Sequence, residues 1–246
     1  MPDLTQARLK VARAKHHLDA FQAARQSFLQ RQPFVTLAEF DESENTTYFR
    51  LGPLPEIPAE LSLIAGDAAH ALRTSLDYLA CELVRDESNT PKNVYFPICE
   101  TATKYATDSP SKTKGMSTTA KATIDRLKPY GGGTEYLWAL HYLDITDKHR
   151  LLVTVGARVG IIHVSPGRTP TPVGFLTDSP VLQEGDILGH LAGNHVGTSN
   201  MTFELDIALG EPDAFEGQPV LDVFRNMVTI VEAILAHFAG ERPLFS

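Results

Sequence analysis

LHYLDITDKHRLLVTV, residues 140–155, changes its period in the middle. Up to Asp147 the apolar residues recur at helical intervals, and His141, Asp144 and Lys148 fall on one helix face. From Arg150 onward the pattern alternates with the period of a strand. Helices are therefore expected before this point and strands after it. Asp144 and Lys148 form an i,i+4 pair, and Lys148, His149 and Arg150 stand where the helix should end. Cations there meet the carbonyl end of the helix dipole favourably, by about 0.3–1 kcal/mol each when exposed. Asp144 and Asp147 oppose the same dipole, so they call for a cationic partner from elsewhere in the chain.

Working back from that switch, residues 118–128 and 134–147 read as helices separated by PYGGGT, and residues 101–117 read as a mobile Ser/Thr/Lys-rich loop. PKNVYFPI is extended, because Pro97 disfavours helix at Phe96. Residues 59–85 form a long helix with a continuous seam of Leu61, Ala65, Ala68, Leu72, Leu76, Leu79 and Leu83. Two short strands, 34–40 and 46–51, flank the turn DESEN. Residues 3–31 form the first long helix, with Leu4, Ala7, Val11, Ala14, Leu18, Phe21 and Phe28 at three-four spacing and Arg25 in the same register. Asp3 is suited to cap its start, and Pro33 ends it.

Forward of the switch, LLVTVGA and VGIIHVS suggest a hairpin turning at Gly156–Gly160, with weaker strands near 172–177 and 185–190. MTFELDIAL, residues 201–209, is the clearest strand, with Thr202, Glu204 and Asp206 on the face opposite the apolar residues. A last helix spans about 218–239. Strands on short links imply antiparallel pairing. The expected fold class is α+β: long amphipathic helices forming a bundle, packed with an antiparallel β-sheet. One domain over 1–246 is expected. Its helical part takes about 1–31, 59–148 and 218–239, and its β part about 34–51 and 149–209.

Of the 246 residues, 43% are hydrophobic and 21% charged, enough to build a core. The net charge of −8 argues against a dominant phosphate-binding surface, although it does not exclude RNA. No apolar run reaches the roughly 18 residues of a membrane span, and the N-terminus has no apolar signal core. Cys81 and Cys99 are too few for a disulfide framework, which suits reduced thiols in a cytoplasm. No cofactor motif is present, so none is expected.

The residues that could carry chemistry fall in two clusters. On the helix over 59–85, Asp67, His70, Arg73, Thr74 and Asp77 share a stripe opposite the leucine seam. An arginine between carboxylates and an imidazole can bind an anion, assist proton transfer, or simply pair along a solvated face. The second cluster is Asp144, Asp147, Lys148, His149 and Arg150. The two are expected to meet, with Arg73 and Asp77 turned toward Asp144 and His149. His70, Asp77, His141, Asp144 and His149 could also converge on a metal between facing helices, although no metal-binding spacing appears in the sequence.

GDAAHALRTSLDYLACEL (66–83), then YFPI (95–98), then LHYLDITDKHRLLV (140–153) together resemble a recurrent pattern in uncharacterised bacterial and phage proteins. These carry Leu-Arg-x-x-Leu-Asp on a helix, followed by Phe-Pro-Ile and Lys-His-Arg. The resemblance covers roughly residues 62–153 and implies no particular activity. More distantly, the arrangement is similar to HEPN-like helical domains, many of them metal-independent ribonucleases or toxin components. That likeness rests on the helix pair bearing Arg73, Asp77, Lys148 and His149, and the candidates for any catalytic role are Arg73, Asp77, Asp144 and His149. It departs from the nuclease pattern because Arg73 has no histidine downstream in its helix. The one Arg-x4-His, Arg158 to His163, falls in the expected hairpin.

Three functions follow. The first is a non-catalytic binding or assembly protein in which an Arg/Asp/His network joins helices and a second copy of the chain is a conceivable partner. The second is a HEPN-like ribonuclease or toxin-type protein. The third is a metal-binding helical-bundle enzyme.

Overall fold

The computed structural model describes residues 1–87, 89–152, 154–158, 163–165, 181–197, 200–202 and 205–244. It is an α+β fold, and the described chain divides into two compact units. The first unit contains residues 1–22, 62–152 and 221–246; the second contains 23–61 and 153–220. Among the described residues no helix is long and apolar enough to cross a membrane.

The first unit is helical. Helix α1 (Thr5–Leu29) starts where the Asp3 carboxylate accepts the Thr5 amide at 3.0 Å. Its three-four row is buried as read, from Leu4 through Phe21 to Phe28. Helix α2 (Ala59–Asp86) buries its whole leucine seam. Ser75, buried on α2, donates to the Ala7 carbonyl at 2.9 Å and ties the two helices together. Residues 101–117 are not a loop as expected. They contain helix α3 (Ala102–Lys112), capped by Thr101, whose hydroxyl accepts the Lys104 amide at 3.2 Å. The polar composition hid its anchor: Tyr105 is buried and donates to Asp125 at 2.7 Å. Pro110 is tolerated close to the helix end. Helix α4 (Thr118–Arg126) is capped by Ser117, and helix α5 (Glu135–Asp147) follows the glycine turn.

Helix α6 (Val220–Phe238) is the most broadly apolar, with Val223, Phe224, Met227, Val231, Ile234 and Leu235 buried. It is tied to α1 by Lys15–Glu232 at 2.6 Å and to α5 by Asn226 donating to Tyr136 at 3.1 Å.

The second unit carries the strands. Strands β1 (Thr36–Asp41) and β2 (Thr46–Leu51) form the expected hairpin. The Asp41 carboxylate holds its turn by accepting the Ser43 amide at 2.8 Å. Strand β3 (Thr154–Arg158) pairs with β7 (Leu205–Leu209), and β4 (His163–Ser165) pairs with β6 (Asn200–Thr202), both antiparallel. Strand β5 (Ile187–Ala192), at the place read as a weak strand, adds to β2 in the order β1-β2-β5. Gly156 does not open a turn. It lies inside β3 opposite Ile207, and the expected link over 159–162 lies outside the described residues. Arg158 and His163 consequently belong to two different strands. The strand expected near 172–177 also lies outside the described residues.

Over Leu205–Leu209 burial does not alternate: Asp206 and Ala208 are buried along with Ile207 and Leu209. Asp206 was placed on the solvent face, yet it is only 7% exposed. Its carboxylate pairs with Arg25, the polar residue in the apolar row of α1. It also accepts the amide of Ile207 at 2.7 Å. Each charge is tolerable in a half-buried place because the other is present. Asp206→Ala, which strands the Arg25 guanidinium, should lower stability by about 2–3 kcal/mol. Replacing both residues by leucine should recover part of that loss. Urea denaturation midpoints measure both, and a single variant within about 0.5 kcal/mol of wild type would show that the pair contributes little.

Candidate functional site

The two sequence clusters lie together in the helical unit, but their charges pair differently from expectation. Arg73 is 6% exposed and turns toward the extended segment 94–99, not toward Asp144. Its Nη1 donates to Asp77 Oδ1 at 2.6 Å, its Nη2 to the Phe96 carbonyl at 2.9 Å, and its Nε to His141 Nδ1 at 3.3 Å. Asp77 Oδ1 in turn accepts the Phe96 amide at 2.9 Å. Phe96 is fully buried and precedes Pro97, which holds it extended with no strand beside it. Its backbone donor and acceptor must still be satisfied. Two side chains one turn apart on α2 serve them, Asp77 as acceptor and Arg73 as donor, the latter beside the Ile98 amide, which donates to the same carbonyl at 2.9 Å. The stripe is a bracket around a backbone segment and not a solvated face.

His141 closes the third side of this bracket. An arginine Nε only donates, so His141 Nδ1 must accept, and the ring proton sits on Nε2. Burial, followed by the nearby Arg73 charge, pushes the His141 pKa down to about 4. Lys112 and Lys148 push the same way, and Asp144 opposes them. The ring is neutral at physiological pH.

Asp144 belongs to a second group. It is 3% exposed, with Oδ1 at 2.9 Å from His70 Nδ1 and Oδ2 accepting from Lys148 Nζ at 2.6 Å. These two neighbours answer the unfavourable placement of an acid at the end of α5. The expected partner, Arg73, is already committed to Phe96. Thr74 Oγ1 lies 3.4 Å from His70 Nε2, so hydroxyl, imidazole and carboxylate stand in a row. That order occurs in hydrolases. Here the hydroxyl and the ring both project from the body of α2, where backbone amides are committed to the helix and cannot stabilise an oxyanion.

The remaining candidates divide by position. The Asp147 carboxylate packs over Gly66, where a Cβ would lie 1.8 Å from Oδ1, so the glycine is what lets the end of α5 approach α2. Burial, followed by Asp67 and Asp144, raises the Asp147 pKa. His149 and Arg150 are exposed, and their amides both donate to the Thr146 carbonyl at 2.9 Å. His149 thus helps to end the helix and does not join Arg73 and Asp77 as expected. The five side chains considered for a metal do not converge. Among the described residues, no three His, Cys, Asp or Glu groups are placed to hold one.

Sequence reasoning missed the groove between α3 and α5. It encloses about 410 Å³ over Ile98 and Cys99, with His141 at its base. Trp138, Tyr142 and Ile145 line it from α5, and Lys104 and Lys112 from α3. The spacing of Lys104, Asp108 and Lys112, one turn apart, was the available signal, and reading 101–117 as a loop concealed it.

No protein-family model matches the chain, and no curated protein or solved structure matches it either.

Two measurements test this geometry. Asp77→Ala leaves the buried Arg73 charge and the Phe96 amide without their acceptor, and should cost about 3–5 kcal/mol. Asp77→Asn, which keeps an oxygen for the amide, should cost less. A loss under about 0.5 kcal/mol for Asp77→Ala would contradict the bracket. His141 supplies a pH dependence. Unfolded, the ring titrates near 6.5; folded, near 4. Between these values the unfolded chain binds a proton that the folded chain refuses. Stability is therefore lost as pH falls from about 6.5 to about 4, by about 2–3 kcal/mol in all. Urea midpoints for wild type and His141→Gln at pH 7 and pH 5 should show a smaller decline in the variant.

Proposed function

We propose that this chain is a non-catalytic binding or assembly protein of a reducing cytoplasm. The observation that carries the reading is the commitment of Arg73. All three guanidinium nitrogens donate to the chain's own groups, and the side chain is nearly inaccessible. An arginine that stabilises a transferring phosphate must present free donors to it. Arg73 is buried and directs its nitrogens to Asp77, Phe96 and His141, so the residue most suggestive of a nuclease acts as a structural member.

Other features agree. His149, the second half of a nuclease pair, is exposed and apart from Arg73's bonded group. The net charge of −8 disfavours a polyanionic substrate. The free thiols of Cys81 and Cys99 suit a reducing compartment. The α3–α5 groove lies within the usual size of ligand pockets, roughly 300–1,000 Å³, and joins an aromatic wall to several polar side chains.

Incubating the purified protein with single-stranded RNA in EDTA tests the reading against the ribonuclease alternative. Intact RNA is the expected result. Cleavage that disappears in His149→Ala, an exposed substitution compatible with the fold, would overturn it.

A further inference from the structure

The α3–α5 groove is lined by two hydrogen-bond donors that the fold leaves largely unspent. Lys112 is half-buried, and its ammonium has the Cys99 thiol at 3.6 Å as its partner. It makes no ion pair among the described residues. Asp108, one turn back on α3, is half-buried and also lines the groove, but among the described residues it forms no salt bridge with Lys112. A thiol is a weak acceptor, so most of the ammonium's donor capacity is unused. The second donor is His141. Its Nδ1 is occupied by Arg73, which leaves the Nε2 hydrogen for whatever enters the groove. Arg73, behind the ring, has its charge paired with Asp77.

The α5 wall is different in kind. The rings of Trp138 and Tyr142 lie 5.8 Å apart, and Ile145 beside them is 44% exposed. At the mouth, Lys104 is neutralised by Glu100 at 3.3 Å. Among the described residues Lys112 is thus the lysine of the lining that has no carboxylate partner, and an aromatic wall stands on α5.

We propose that this groove binds a small organic anion that carries a flat ring, its carboxylate or phosphate on Lys112 and His141 and its ring against Trp138 and Tyr142. A charge-assisted bond to the ammonium orients the anion, and offset stacking holds the ring. The proposal rests on the binding reading above and gives it a ligand class.

Trp138 is the single tryptophan of the chain, so its fluorescence reports on the groove directly. The full-length protein is titrated with benzoate, phenyl phosphate, the neutral benzamide and the ringless acetate. A saturable change with benzoate, phenyl phosphate or both is expected, and which of them acts separates a carboxylate ligand from a phosphate. Benzamide and acetate should bind at least about ten-fold more weakly, since each lacks one half of the recognition. Lys112→Met should weaken the anion about ten-fold, while Lys104→Met, at the neutralised mouth, should change it by less than about two-fold. His141→Gln provides a second variant should Lys112→Met fail to fold, and it too should weaken the anion.

Benzamide binding as tightly as benzoate would overturn the proposal, as would no response to either anion, or unchanged affinity in both Lys112→Met and His141→Gln. Those results would leave the non-catalytic reading in place. Release of phenol from phenyl phosphate would do the reverse, confirming an occupied groove and overturning the non-catalytic reading.

Discussion

The helical unit depends on one exchange of hydrogen bonds, in which Arg73 and Asp77 satisfy the backbone of Phe96. The segment 94–99 crosses the helices with Phe96 and Ile98 fully buried, and Pro97 prevents it from coiling. Its ends are bonded to neighbours, Tyr95 donating to the Lys112 carbonyl at 3.3 Å and Cys99 to that of Pro129 at 3.0 Å, but a buried amide left unsatisfied between them would cost about 1–3 kcal/mol. The i,i+4 pair on α2 supplies a donor and an acceptor to one residue, as a partner strand would. The same arginine donates to His141, so one guanidinium connects α2, the segment and α5. Burying such a charge is costly, and the completeness of its bonding is what makes the cost bearable.

A consequence reaches the second polar group. With Arg73 spent on Phe96, Asp144 must find its counter-charges nearby, and it takes Lys148 from its own helix and His70 from α2. Asp147, one turn beyond Leu143, forms an ion pair with neither among the described residues, although both favour its charge from nearby. It lies over Gly66, where the absence of a side chain makes room for it, and its carboxyl holds its proton more tightly than usual. The polar stripe of α2 thus performs three tasks along its length: room for Asp147 at Gly66, an imidazole for Asp144 at His70, and a bracket for Phe96 at Arg73 and Asp77. The groove beyond His141 inherits its character from this order, because the ring that forms its base is held neutral with one nitrogen already used.

Long elements with strong periodicity were readable from the residues. The rows of α1 and α2 are buried at nearly every position named, since a repeated apolar stripe has no other stable use in water. The hairpin of β1 and β2 was legible because its turn chemistry is local. Helix α3 was not legible. One tyrosine anchors it, and the remaining residues carry no stripe, so only contact with Asp125 and the capping by Thr101 reveal it. Asp206 was misplaced for a related reason. Alternation assumes one wet face, whereas Arg25 provides a place for a carboxylate on the covered one.

For the site, the residue types and their spacing along each helix were fixed by covalent sequence: Arg73 one turn from Asp77, Asp144 one turn from Lys148, Pro97 directly after Phe96. These alone guaranteed local ion pairing and an extended segment. Which charge answers which across helices was decided only in three dimensions. Arg73 lies with Asp77 and the Phe96 carbonyl instead of the expected Asp144, which has a lysine of its own. Helical periodicity records which way a side chain points, but it carries no information about the backbone of another segment waiting there without a partner.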